Sequence, residues 1–348
     1  MSNIEKVDKN FAVKTEIDKD GIKFYNCLEK PFEINGVYYD NGRFRRLPED
    51  VAKTVSEGVH VLHSHTAGGR VRFKTNSPYV AISTVMEEIG RWSHFAPTGY
   101  AGFDLYSGTE YIKTFRPPVD ATTGYESVID LPEGLHEITI NMPLYSHVKE
   151  LYIGVDENAI IDAPNPYVNE KPIVYYGSSI TQGGCASRPG RAYQSVISRR
   201  FNCDYINLGF SGSAKGEDEI VEYIKNLDMC MFVQDYDYNA PSTEHLENTH
   251  EKLFKAVRNA HPDIPIIIAT RPNFYADENT ERSKVIKKTY DNAVASGDKN
   301  VYFVTGKELM ALCENEGTVD NCHPTDFGFE SMARAFGDII EKYNLLNL

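Results

Sequence analysis

From residue 171 onward, short uninterrupted apolar runs alternate with longer stretches of helical periodicity. The runs include Ile173-Val174-Tyr175-Tyr176, Met229-Cys230-Met231-Phe232-Val233 and Ile264-Pro265-Ile266-Ile267-Ile268-Ala269. A strand that is apolar on both faces must be covered on both faces, which is the condition of a parallel sheet between two layers of helix. Strands are expected at 173–176, 204–208, 229–234, 264–269 and 301–304, with helices at 190–201, 217–226, 243–260, 280–296 and 326–343. Residues 171–348 therefore read as a three-layer α/β/α domain.

The first half has a different rhythm. Helical periodicity is nearly absent, and short β-rich runs stand between Gly, Pro, Asn and Asp. Gly69-Arg70-Val71-Arg72-Phe73-Lys74 alternates strictly, and Glu137-Ile138-Thr139-Ile140-Asn141 and Glu150-Leu151-Tyr152-Ile153-Gly154-Val155 are similar runs. Many short strands with turn signals between them imply an all-β sandwich, jelly-roll-like, over residues 1–165. The Pro- and Asn-rich stretch 163–172 reads as the linker.

Bulk properties narrow the function classes. The 348 residues are 41% hydrophobic and 25% charged, enough apolar material for two cores. A net charge of −14 repels phosphate backbones and anionic headgroups, so no nucleic-acid or membrane role is expected. The N-terminus lacks the apolar stretch of a signal peptide and no run reaches the ~20 residues of a membrane span, so the expected location is cytoplasmic. The six cysteines show no CxxC or metal-ligand spacing and fit a reducing compartment. Oligomeric state is left open, a homo-oligomer included.

Three segments carry chemistry. Ser179 lies in Gly177-Ser178-Ser179-Ile180-Thr181, just after the first apolar run. Asn239 follows another run, and Asp320-Asn321-Cys322-His323 lies near the C-terminus. In open parallel sheets, sites form beyond the carboxyl ends of strands. A serine hydroxyl needs a base to become a nucleophile. His323 can be that base, and Asp320, one turn earlier, can orient its ring. Donors for a developing oxyanion are the Ser179 N–H, the Gly212 N–H and the Asn239 amide.

This order of blocks resembles the SGNH hydrolases, or GDSL esterase/lipase superfamily, whose blocks supply Ser, Gly, Asn and His with Asp three residues before His. Gly102-Phe103-Asp104-Leu105-Tyr106 is similar to the GxDLY signature of an N-terminal β domain found before a bacterial subgroup of these enzymes. The resemblance implies a flavodoxin-like catalytic domain, a Ser-His-Asp acyl-enzyme mechanism and no cofactor. It implies a small-molecule ester as substrate, with a short acyl group such as acetyl on a carbohydrate or small polar molecule. Lipase or thioesterase action on longer chains is the alternative. Two departures stand out: Gly177-Ser178-Ser179 replaces Gly-Asp-Ser, and Asp237-Tyr238-Asn239-Ala240 replaces Gly-x-Asn-Asp.

Other readings compete. Ser179 can be a helix N-cap, and Ser178 is a rival nucleophile. Gly212 and Asn239 also suit ordinary turns. Gln182 and Arg188 flank the nucleophile loop as pocket-lining candidates, with solvated-loop roles equally open. Arg271 is a substrate contact or a structural salt bridge. Trp92 and His94 sit on a loop expected to close over the site. His60, His63 and His65 suggest a metal only superficially: as a strand, 63 and 65 share a face while 60 points away, and no carboxylate or thiol completes a site. No metal is expected. Asp104 and Tyr106 read as a structural turn, and Cys185 and Cys322 as packing. A catalytically inert carbohydrate-binding protein is the reading from another class. Nucleotide binding at Gly209–Gly216 lacks a GxGxxG or GxxxxGK[ST] pattern.

Overall fold

The computed structural model describes residues 17–276 and 279–346. Five parallel strands form the sheet of the second half, in the spatial order Cys203–Gly209, Asn169–Gly177, Met231–Asp235, Ile266–Ala269, Val301–Val304. Asn169–Gly177 comes first in sequence yet lies between the second and third strands. The chain therefore winds one way and then the other from it, and its carboxyl end is the switch point where such sheets place ligands.

Side-chain alternation along this strand divides the domain. Ile173 and Tyr175 enter one buried cluster with Ile197, Phe329 and Phe336, under helices Tyr193–Phe201 and Asp326–Tyr343. Val174 and Tyr176 enter the other, with Ile220, Leu246 and Leu253, under helices Asp218–Lys225 and Thr243–Ala260. Helix Glu281–Ala295 adds Ile286 and Ala293 to the second cluster. Both faces are covered, as the continuous apolar runs require.

The strand begins within the stretch read as linker. Asn169 already pairs with Cys203, and the register shifts before Ile173. Pro172 has no N–H to give the ladder, which suits it to that irregularity.

The first half is built mainly on two larger antiparallel sheets, beside the hairpin of Tyr38–Asp40 and Arg43–Arg45. One runs Ile22–Asn26, Val148–Asp156, Tyr79–Met86, Gly124–Asp130; the other runs Ile161–Asp162, Arg70–Thr75, His136–Asn141, Phe103–Ser107, Glu110–Phe115. Val71, Phe73, Ile138 and Ile140 of the second sheet and Ile82 and Ile153 of the first share a core that continues into the first cluster of the parallel sheet.

Two helices, Glu49–Val55 and Glu57–Leu62, correct the reading of the first half as nearly free of helix. They have 7 and 6 residues, too short to show a period. Ser56 separates them and caps the second by accepting the Val59 N–H. Ala52, Val55 and Val59 pack with Ile220 and Val221, so this segment covers part of the parallel sheet. Arg46, just before it, is buried, and its guanidinium donates to the carbonyls of Leu62, His65, Asn207 and Gly209. That ties the first half to the end of strand Cys203–Gly209.

The histidine cluster follows from the same correction. His60 is helical, and its ring stacks on His63 at 5.5 Å. His65 instead meets His147, ring centroids 4.4 Å apart. Strand alternation does not apply: His60 and His63 pair with each other, and His65 points to a different partner. No described helix is long and apolar enough to cross a membrane.

Candidate active site

The turn after Gly177 sets the geometry. A Cβ on Gly177 would lie 2.1 Å from both Asp235 O and Thr181 Oγ1, so only glycine lets the strand end turn this tightly. Ser178 is extended and its hydroxyl accepts the Ile180 N–H, capping the single turn Ser179–Gln182. Gly183, at φ +100°, ends that turn. The cap role therefore falls to Ser178, and Ser179 is free to face outward from the strand end.

Ser179 Oγ lies 2.9 Å from His323 Nε2, and His323 Nδ1 lies 2.8 Å from Asp320 Oδ2. Asp320 and His323 sit in a loop rather than a helical turn. Thr318 and Pro324 bridge its ends, Val319 N–H donates to His323 O, and Asn321 takes φ +65°. Asp320 Oδ1 also accepts the His323 and Cys322 N–H groups at 2.7 and 3.1 Å. Desolvation alone would raise the Asp320 pKa. The bonds from the His323 backbone and ring and from Cys322 outweigh it and hold the carboxyl below its usual range. An ionised, doubly anchored carboxylate fixes the imidazole with Nδ1–H toward Asp320 and Nε2 toward the hydroxyl, the tautomer a general base requires.

Gly212 takes φ +67°, with open space where a Cβ would be. The bonds of its turn run from Ser213 and Ala214 N–H to Phe210 O and leave the Gly212 amide unused. Asn239, in the turn Asp237–Asn239, accepts the Ala214 N–H through Oδ1 at 3.3 Å. Its NH₂ group remains to donate. The turns bearing Gly212 and Asn239 are thus joined to each other beside the strand ends.

With this geometry in view, residues 170–341 match the GDSL-like lipase/acylhydrolase family, and residues 22–161 match the N-terminus of the SGNH-hydrolase type of esterase. The chain belongs to the GDSL-like lipase/acylhydrolase family. It is a carboxylic ester hydrolase. Similar solved structures include one from Bacteroides ovatus ATCC 8483 described as a GDSL-like lipase, 28% identical, TM-score 0.81, covering 94% of this chain and 99% of that one. The salicylyl-acyltransferase SsfX3 from a tetracycline biosynthetic pathway is 18% identical, TM-score 0.76, with coverage of 94% and 99%. A family two carbohydrate esterase from Clostridium thermocellum, in complex with cellohexaose, is 16% identical, TM-score 0.63, with coverage of 90% and 100%. The last two show a shared fold. No curated protein matches the sequence.

Several flanking residues of this GDSL-like hydrolase have roles other than those read from the sequence. Gln182 does not line a pocket. It is fully buried, accepts the Ser211 N–H at 3.0 Å through Oε1, and contacts Leu144 O and His65 Nδ1 through Nε2 at 3.2 and 3.1 Å. Burial keeps His65 well below the ordinary histidine range, so its neutral ring can accept that bond. Arg188 turns away from Ser179 as well. Its Nη1 meets Asp104 Oδ2 at 2.7 Å and Tyr106 OH at 2.5 Å, and its guanidinium lies 3.7 Å from the centre of the Tyr111 ring.

Asp104 corrects the turn reading of the GxDLY segment. It lies in strand Phe103–Ser107, is fully buried, and also accepts from Asn141 Nδ2 and the Gly190 N–H. The signature therefore clamps the β region to the loop that follows Ser179. Arg271 proves to be the structural salt bridge. It and Arg282 converge on buried Asp237, beneath the turn that carries Asn239.

The aromatic loop does reach the site. The His94 ring lies 5.8 Å from that of His323, and Trp92 packs 5.8 Å from Tyr145. Thr98 Oγ1 donates to Ser187 O at 2.6 Å, and Gly99 leaves no room for a Cβ against Ala186 O. The sequence reading missed Tyr145, whose hydroxyl donates to Ser179 O at 3.3 Å. It follows strand His136–Asn141, far from the motif blocks, with no local signal. Cys185 is buried beside the site at φ +73°, and desolvation pushes its thiol up to about 12, which leaves it a neutral thiol rather than a rival nucleophile.

Proposed function

We propose that Ser179, His323 and Asp320 hydrolyse a short-acyl ester, acetyl by preference, of a carbohydrate or small polar molecule. The observation that carries this is the unbroken hydroxyl–imidazole–carboxylate line at the switch point, with contacts of 2.9 and 2.8 Å. Ser179 Oγ attacks the ester carbonyl while His323 Nε2 takes its proton, and Asp320 stabilises the imidazolium. The Ser179 and Gly212 N–H groups and the Asn239 NH₂ receive the oxyanion. His323 returns the proton to the departing alcohol, leaving an acyl-serine. A water molecule, deprotonated by the same nitrogen, then releases the acid.

Support for a sugar alcohol is of two kinds. Trp92 is exposed at the rim and His94 stands beside His323, giving flat apolar surface next to hydrogen-bonding groups. Proteins sharing the fold include the cellohexaose-bound carbohydrate esterase and an acetyl xylan esterase from Butyrivibrio proteoclasticus, 12% identical with a TM-score of 0.59. The free state of all six cysteines agrees with a cytoplasmic setting.

The test is hydrolysis of nitrophenyl esters from acetate to palmitate beside acetylated sugars, using wild type and Ser179→Ala. Activity should fall with chain length and disappear in the variant, and an organophosphate should label Ser179 alone. A preference for palmitate would replace the sugar-ester reading with a lipase. Full activity in Ser179→Ala would remove the mechanism.

A further inference from the structure

We propose that His94, Cys185 and His323 form a binding site for a zinc-class divalent cation, and that the ion silences the esterase by taking the nitrogen its nucleophile needs. The silencing rests on the function proposed above; the ion site does not.

The ligand atoms of these three residues all lie within 4.8 Å of one another. Zinc holds imidazole nitrogen at about 2.0–2.1 Å and thiolate sulfur at about 2.3 Å, so ligands on one ion stand roughly 3.5 Å apart. Closing the set takes a shift of about 1 Å. His94 is exposed and has room to move, while His323 is held by Asp320 and Cys185 is buried. Imidazole and thiolate together select zinc, cobalt or cadmium over magnesium or calcium, which prefer oxygen.

The roles of the two His323 nitrogens decide the consequence. Nδ1 is engaged by Asp320, so Nε2 is the atom available to an ion. A carboxylate behind the ring is the partner that orients metal-binding histidines generally. The arrangement that makes His323 a base thus also makes it a ligand. Nε2 is the same atom that faces Ser179 Oγ at 2.9 Å, and an ion there displaces the hydroxyl's proton acceptor. Three protein ligands leave a fourth position for water or Ser179 Oγ. On binding, the Cys185 S–H bond breaks, its proton passes to solvent, and the sulfur's electron pair forms the bond to the ion. No oxidation or reduction occurs.

Cobalt(II) is the probe, because its thiolate complexes absorb in the near ultraviolet. Titrated into reduced full-length protein, it should give that band at one ion per chain in wild type and in Ser179→Ala. Cys185→Ser should abolish the band and Cys322→Ser should keep it. Zinc should inhibit nitrophenyl acetate hydrolysis by wild type, with recovery on adding EDTA. Cys185→Ser should hydrolyse the ester and need more than about tenfold more zinc for the same inhibition. Absence of the band in wild type, its survival in Cys185→Ser, or equal zinc sensitivity of the two enzymes overturns the proposal. A band in a protein that hydrolyses no ester sustains the ion site and overturns the esterase reading instead.

Discussion

The side-chain carbonyl of Gln182 accepts the backbone N–H of Ser211 at 3.0 Å, so the turn that begins with Ser179 also holds the loop that presents Gly212. The amide of Gln182 is spent on Leu144 O and His65. A methionine would fill the volume but pair with none of these groups. Leaving buried polar atoms unmatched costs about 1–3 kcal/mol each. Gln182→Met should therefore lower stability in denaturant unfolding and, if Gly212 receives the oxyanion as proposed, reduce kcat more than it changes KM. A variant with normal kcat and only lowered stability would separate Gln182 from the oxyanion loop.

Asp104 and Arg188 make a second prediction. The Asp104 side chain is wholly buried and that of Arg188 is 15% exposed, so their contact is sheltered from water and salt. Removing one partner strands a buried charge, at about 3–5 kcal/mol. Arg188→Met should destabilise by that order, with KM for nitrophenyl acetate unchanged. Adding Asp104→Asn should recover part of the loss. Unfolding curves of the single and double variants read the coupling. A raised KM at unaltered stability would return Arg188 to the substrate pocket.

The contrast between these residues and the triad shows what a sequence carries. Helices Thr243–Ala260 and Asp326–Tyr343 keep the bounds expected from their periodicity, because long amphipathic patterns repeat several times. Glu49–Val55 and Glu57–Leu62 are too short to repeat. Ser179, Asp320 and His323 were legible because each sits in a block whose chemistry is local: a strand end, a glycine turn, an Asp three residues before a His. Gln182, Arg188 and Arg271 were not, because their partners Ser211, Asp104 and Asp237 lie 29, 84 and 34 residues away. A polar side chain near a catalytic block looks the same in sequence whether it faces substrate or braces a neighbouring loop.

Asp320 yields a third prediction, with a definite pH sign. Its folded pKa is lowered, so its contribution to stability is present above the ordinary carboxylate range, near 3.9, and is lost as pH falls through the folded value. An acidic limb in the activity profile at higher pH therefore belongs to another group. Asp320→Asn keeps an oxygen for the His323 and Cys322 N–H groups but turns an NH₂ toward Nδ1, which favours the wrong tautomer. A fall in kcat of about 10⁴ is expected. A limb near pH 4 that disappears in Asp320→Asn would show the carboxylate itself titrating during turnover.

Asn239 supplies the last prediction, and it separates two uses of one side chain. Its Oδ1 accepts the Ala214 N–H at 3.3 Å, and its NH₂ is left to donate. Asn239→Asp retains an acceptor for Ala214 but replaces the donor with negative charge. Asn239→Ala removes both. If the NH₂ serves the oxyanion, each variant should lose about 10²–10³ in kcat, and aspartate should be the worse of the two because it repels the charge that develops. Stability should order them the other way, since only alanine leaves the Ala214 N–H without its acceptor. Paired kcat and unfolding measurements test this reversal of order. An aspartate variant as active as wild type would mean that the side chain acts through the loop alone.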